Sequence, residues 1–223
     1  RNYIKIDSLD SANNEGGPRS TECTLILVEG LSAKTYAVQG INRGAFGKNG
    51  RDWFGIYALR GKILNCRNAS PVTISNNNVI GDIIKALNIK IDTDYTIEDN
   101  YKKLRYGRVL ILTDADVDGI HISGLIQNMF HTLFPTLLYR DESFITAMQT
   151  PIVKVSLSSS IKKLFYDENE FRRWAIEYSN NNPNKKIEKK YYKGLGTNNK
   201  EDINESFGRK LVCFKHDEHS FDS

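Results

Sequence analysis

A chain of 223 residues with 39% hydrophobic content and a net charge of +4 is long enough for one sizeable core, or one core with an extension, and its mild basic excess alone says little about partners. Cys23, Cys66 and Cys213 are odd in number and far apart, with no C-x-x-C pair, which argues against a zinc site or a disulfide scaffold and for a reduced, intracellular protein. No apolar run approaches the ~18 residues of a membrane span, the N-terminus lacks a signal peptide's apolar segment, and a start at Arg1 rather than Met suggests a piece of something longer.

In chain order, residues 1–21 are polar, carry "NNEGGPRS" and read as a connector. "CTLILVEG" (23–30) is a short buried-type strand stopped by glycine. "SAKTYAVQG" (32–40) follows as a helix, with Ser32 as N-cap and Gly40 as the stop. Residues 41–70 are glycine-rich and basic. "VIGDIIKALNI" (79–89) has helical periodicity, "RVLILT" (108–113) is a second buried-type strand, and "HISGLIQNMFHTLF" (121–134) is a helix ended by Pro135. The order strand, helix, helix, strand, helix predicts an α/β layer with parallel strands. "FITAMQTPIVKVSL" (144–157) and "KKLFYD" (162–167) read as strands, and "ENEFRRWAIEYS" (168–179) as an amphipathic helix. "NNNPNKK" (180–186) is an exposed loop, and "KKIEKKYYKGLGT" (185–197) is a basic strand running into a glycine turn. No internal repeat is present.

The sharpest chemical signal is "TDADVDG" (113–119), three aspartates at alternate positions followed by glycine. A calcium loop begins D-x-D-x-D-G, but it needs a bidentate glutamate at position 12, where this chain has Leu125, and a helix rather than a strand before it. Alternation along an extended segment puts Asp114 and Asp116 on one side, at the carboxyl end of a buried parallel strand where α/β sheets place their ligands. Glu29 ends the other buried strand. If the two strands are neighbours, three carboxylates converge, and a hard divalent cation such as magnesium, completed by waters and a phosphate, relieves their repulsion. The plainer alternative is that the aspartates cap the following helix and pair with lysines.

A strand ending in E-G before a helix, together with a strand ending in D-x-D-x-D-G, resembles the TOPRIM fold of topoisomerases, primases and some nucleases. "CTLILVEGLSAKTYAVQG", "ALRGKILNCRNAS", "TDADVDGIHISGL", "TPIVKV" and "YYKGLGT" resemble, in order, segments of type IIA DNA topoisomerases, and "IDSLDSANNEGG" resembles the connector leaving their ATPase region. "CTLIL", "FPTLL" and "KGLGT" are similar to eukaryotic topoisomerase II, whereas "DADVDG" is nearer the bacterial wording and Leu31 replaces the family's aspartate. A divergent member is implied, and the Asn-rich loops fit a large DNA virus.

The resemblance implies a Rossmann-like parallel sheet flanked by helices over 22–145, after the connector 1–21 and before an α+β extension over 146–223. It implies an ATP-dependent enzyme that cuts and reseals duplex DNA through a phosphotyrosine, acts as a homodimer, and works in the nucleus, or in the host cytoplasm or virion if viral. Glu29, Asp114 and Asp116 become Mg2+ ligands (Mn2+ substituting), Asp118 an outer or alternate ligand, and Glu29 also exchanges a proton with the leaving 3′ oxygen. Arg60, Lys62 and Lys193 fall near the phosphates. His121, otherwise a helix-end residue, is a further DNA contact. Leu31 borders the slot where topoisomerase poisons intercalate and removes an acceptor there. None of the 11 tyrosines has a nucleophilic context, and Tyr191 and Tyr192 read as packing residues. In the family the nucleophile lies on a winged-helix domain beyond this segment and ATP is used by a region before it. A stand-alone TOPRIM nuclease or primase-like domain, which needs neither "LRGK" nor "KGLGT", is the other reading.

Overall fold

The computed structural model describes residues 4–61 and 63–215. Its elements are β1 (Leu9–Asp10), β2 (Thr24–Glu29), α1 (Gly30–Gly40), β3 (Phe54–Leu59), α2 (Pro71–Ser75), α3 (Asn78–Leu87) and α4 (Glu98–Tyr101). There follow β4 (Arg108–Leu112), α5 (Val117–Leu133), β5 (Ile145–Gln149), β6 (Val153–Ser156), β7 (Lys162–Phe165), α6 (Glu168–Asn181), β8 (Glu188–Tyr191), α7 (Lys200–Ser206) and β9 (Lys210–Phe214). A six-stranded sheet runs β1-β3-β2-β4-β5-β9, and a three-stranded antiparallel sheet runs β7-β6-β8. In the large sheet β3, β2, β4 and β5 are mutually parallel, and only the two edge strands are antiparallel.

The crossovers that join the parallel interior strands lay helices on both faces of the sheet, which is why β2 and β4 read as unbroken apolar runs. Successive side chains of β2 go to opposite cores. Leu25 and Leu27 join Val109 and Ile111 against Ile80, Ile83 and Leu87 of α3 and Ile126, Met129 and Phe130 of α5. Ile26 and Val28 join Leu110 and Leu112 against Ala33, Tyr36 and Ala37 of α1 and Ile203 of α7. Each such side chain, fully buried, contributes about 1.5–3 kcal/mol. The small sheet carries its own core, Val153, Val155 and Phe165 under Phe171 and Trp174 of α6.

Five elements differ from the sequence reading. β3 lies inside the glycine-rich basic stretch and pairs with β2 over its full length. α5 begins at Val117, not at 121, because the Asp116 carboxylate accepts the Gly119 N–H at 2.7 Å and so caps the helix. Gly119 makes this start possible, since a Cβ there would lie 2.0 Å from the Asp114 carbonyl oxygen. α1 begins at Gly30 (φ +76), with Glu29 rather than Ser32 in the cap position. α7 and β9 follow the glycine turn, and β9 returns to close the large sheet against β5.

The segment before β2 is fastened to the sheet. Glu15, 4% exposed, accepts from the Arg105 guanidinium at 2.8 Å and from the Tyr106 hydroxyl at 2.5 Å, and that hydroxyl accepts the Ala12 N–H at 3.0 Å. Replacing Glu15 by glutamine leaves the Arg105 charge buried against a neutral amide. Glu15→Gln is expected to lower unfolding free energy by about 3 kcal/mol, measured by urea denaturation, against a change near zero for the exposed pair partner Glu142→Gln.

Candidate metal centre

Three parallel strands end together at one edge. Glu29, the last residue of β2, stands level with Leu59 at the end of β3, and Val28 stands level with Leu112 at the end of β4. Glu29, Arg60 and the loop Thr113–Asp116 therefore issue from adjacent strand ends, and the neighbour relation on which convergence of the carboxylates depended is present.

The Glu29 side chain makes no capping bond to α1 and is exposed. Its carboxyl is held above the ordinary carboxylate range, first by partial desolvation and then by the negative charges of Asp114, Asp116 and Asp118. Asp114 is half-buried and accepts the Leu195 N–H at 2.8 Å through Oδ1. Asp116 spends Oδ1 on Gly119, as described, and Asp118 is exposed in the first turn of α5. The capping alternative is thus realised for Asp116, whereas no described lysine pairs with the aspartates. Among the described residues none of the four carboxylates forms an ion pair.

Among the described residues, no three Asp, Glu, His or Cys side chains stand close enough to hold an ion by themselves. The donor set is nevertheless all carboxylate oxygen and, among the described residues, is paired with no protein cation. Such a set fits a hard divalent ion that keeps much of its water and takes further oxygens from a substrate, rather than an ion needing a closed protein cage. The calcium-loop reading fails on geometry: β4, not a helix, precedes Asp114, and Leu125 packs against the core.

Around the acids, Lys193 is exposed and lines a cleft of about 30 Å3 with Asp116, Thr150, Pro151, Tyr192, Gly194 and Asn198. Arg60 is exposed, with only a 4.0 Å approach to Asp7. Lys62 lies outside the described residues, as do His216 and His219. His121 is exposed just past the first turn of α5, and Leu31, 80% exposed, is the second residue of α1. Lys190, in the basic strand that precedes the glycine turn, binds the buried Asp202 at 2.6 Å, and Lys189 lies over the rings of Phe171 and Tyr191.

Sequence reasoning missed the Leu195 N–H, the Gly119 approach and Asp202. The one available signal was the Asn199-x-x-Asp202 pattern, a capping box at the start of α7. The tyrosine that lines the cleft with Asp116 is Tyr192, and its hydroxyl is engaged. The Tyr192 hydroxyl donates to Asp202, which with burial holds its proton tightly, and burial pushes Tyr36 up to about 12.

Residues 24–146 match the Toprim domain family, and residues 148–222 match the C-terminal associated domain of TOPRIM. The chain is 40% identical, over its whole length, to DNA topoisomerase 2 of Invertebrate iridescent virus 6, and 46% identical, over 96% of its length, to human DNA topoisomerase 2-alpha. It spans 21% and 14% of those two relatives. Its fold is similar to the crystal structure of the Plasmodium falciparum topoisomerase II DNA-binding, cleavage and re-ligation domain, with a TM-score of 0.79 and 38% identity. That match covers 93% of this chain and 26% of the other.

The raised Glu29 carboxyl sets a pH dependence. The folded chain holds this proton more tightly than the unfolded one, so stability falls as pH climbs from near the ordinary value of 4.5 through the folded value. In chelator at pH 7, Glu29→Gln is expected to melt on the order of 1–2 °C above the unsubstituted chain, a figure kept small because the group is exposed. Below pH 4 the two melting curves are expected to coincide.

Proposed function

The chain belongs to the Toprim domain family, and from that premise we propose that it is the Mg2+-binding part of an ATP-dependent type II DNA topoisomerase, an enzyme that makes and reseals transient double-strand breaks. The observation that carries this reading is the set of four carboxylates, without ion-pair partners among the described residues, where β2, β3 and β4 end together, with exposed Arg60 and Lys193 beside them.

Glu29, Asp114 and Asp116 would hold the metal, with Asp118 as an alternate ligand. When bound, the ion supplies positive charge to the attacking and leaving oxygens of a phosphodiester exchange. Glu29, whose proton is held more tightly than an ordinary carboxyl's, is suited to exchange it with the leaving 3′ oxygen. Lys193, Arg60, Lys62 and His121 neutralise or contact the DNA backbone, which gives sequence-independent, salt-sensitive affinity. The tyrosine that takes the phosphoryl group and the site that uses ATP belong to other parts of the proposed enzyme, a homodimer acting on duplex DNA in the nucleus, or in the host cytoplasm or virion if viral. Leu31 puts apolar surface on the rim of the site, so an intercalating poison that needs an acceptor there loses about 1–3 kcal/mol.

Two measurements test this. Isothermal titration with Mn2+ is expected to show weak binding, reduced tenfold or more in the Asp114→Asn/Asp116→Asn chain; equal binding by both would remove these residues from the metal site. Supercoiled plasmid incubated with the chain and Mg2+ is expected to stay intact, because a metal cannot supply the covalent step. Nicking that disappears with Glu29→Gln would favour a stand-alone nuclease instead.

A further inference from the structure

The turn that touches Asp114 is fastened at both ends to one buried carboxylate. Asp202, 1% exposed at its side chain, sits in the first turn of α7. Its Oδ1 accepts the Tyr192 hydroxyl at 2.7 Å, and its Oδ2 accepts the Asn199 N–H at 3.1 Å. Tyr192 and Asn199 are the residues immediately before and after the segment 193–198, which carries the Leu195 N–H. Lys190 and Lys154 add charged donors to the two oxygens, so that four groups from β6, β8, the residue after β8 and the start of α7 converge on a single side chain. The Asp202 carboxyl is held well below the ordinary range by these donors, against the desolvation that opposes it.

The hub is also tied to the large sheet. The Ser206 hydroxyl donates to the Asp202 carbonyl at 2.7 Å and shares a 2.7 Å hydrogen bond with the buried Tyr36 hydroxyl of α1. Within the segment, Leu195 is buried in the same core as Ala33 and Tyr36, and a Cβ on Gly196 would stand 3.0 Å from the Ser32 hydroxyl. A loop whose two ends are pinned has little freedom left to lose when its middle is ordered. What the middle presents is an N–H at 2.8 Å from one Asp114 oxygen.

We infer that Asp202 is a positioning residue for the metal site: by closing both ends of 193–198 it aims the Leu195 N–H at Asp114 Oδ1, fixes the rotation of that carboxylate and leaves Oδ2 for the ion. This deepens the proposed function and rests on it. Groups that orient a metal ligand without touching the metal typically change its affinity about 10–100-fold when lost.

The test combines amide hydrogen exchange by NMR with Mn2+ titration on the whole chain, in Asp202→Asn and Tyr192→Phe. The second variant removes one hydroxyl and keeps the ring and both lysine pairs, so it reports even if the first does not fold. Expected are Leu195 amide exchange about tenfold faster and Mn2+ affinity about tenfold weaker in Tyr192→Phe, and larger changes in Asp202→Asn, with Leu27 and Leu110 in the sheet as protected as before. Wild-type Leu195 protection and Mn2+ affinity in Tyr192→Phe would overturn the inference, showing that burial of Leu195 alone holds the turn. Should the unsubstituted chain bind no Mn2+, the metal reading above fails, and Leu195 exchange alone then decides whether Asp202 anchors the turn.

Discussion

Four like charges held at one sheet edge repel, and most of the structure around them serves to keep them there. Glu29 ends β2, and Asp114, Asp116 and Asp118 follow β4 directly, so the parallel pairing of these strands forces the acids into one region. Nothing of opposite charge in the described protein relieves them. Partial desolvation and, after it, the charges of the three aspartates hold the Glu29 carboxyl above the ordinary range. The energy that tolerates it comes from the two cores on either face of the sheet, each built from alternate residues of the same strands that carry the acids at their ends.

Orientation is supplied by backbone N–H groups rather than by cations. Leu195 and Gly119 each donate to one carboxylate oxygen, and a neutral donor fixes a rotamer without cancelling the charge that attracts an ion. A lysine in either place would orient the aspartate equally well and neutralise it. The described lysines nearby are used elsewhere: Lys154 and Lys190 go to Asp202, and Lys193 stands exposed at the cleft edge.

The strands that carry the acids were readable because burial on both faces writes an uninterrupted apolar run, as in "TLILV" and "VLIL". β3 was not, although it is as deeply buried, because "FGIYAL" contains Gly55 and sits among lysines, arginines and glycines that belong to the turns around it. The start of α5 was misplaced because an aspartate that caps a helix and one that holds a metal look the same in a string of letters, and Asp116 does the first. β9 is a short, half-exposed edge strand whose only reason to be a strand is the ladder it makes with β5. Asp202 was invisible for a different reason. In "TNNKEDINES" it looks like one more solvated acid, and only the three-dimensional return of Tyr192, Lys190 and Lys154 shows that it is buried and fully bonded.

The ladder between β5 and β9 also has a bearing on how the chain is made. Ile145 pairs with Phe214, so the far edge of the large sheet stays open while the whole small sheet, α6 and α7 are synthesised and folded. A nascent chain at that stage displays the unpaired N–H and C=O groups of β5, an invitation to strands from other molecules. The three-stranded unit, begun by the β6–β7 hairpin, completed when β8 returns to β6 after α6, and packed on its own aromatic core, can form in the interval and hold the late-arriving strand near its destination.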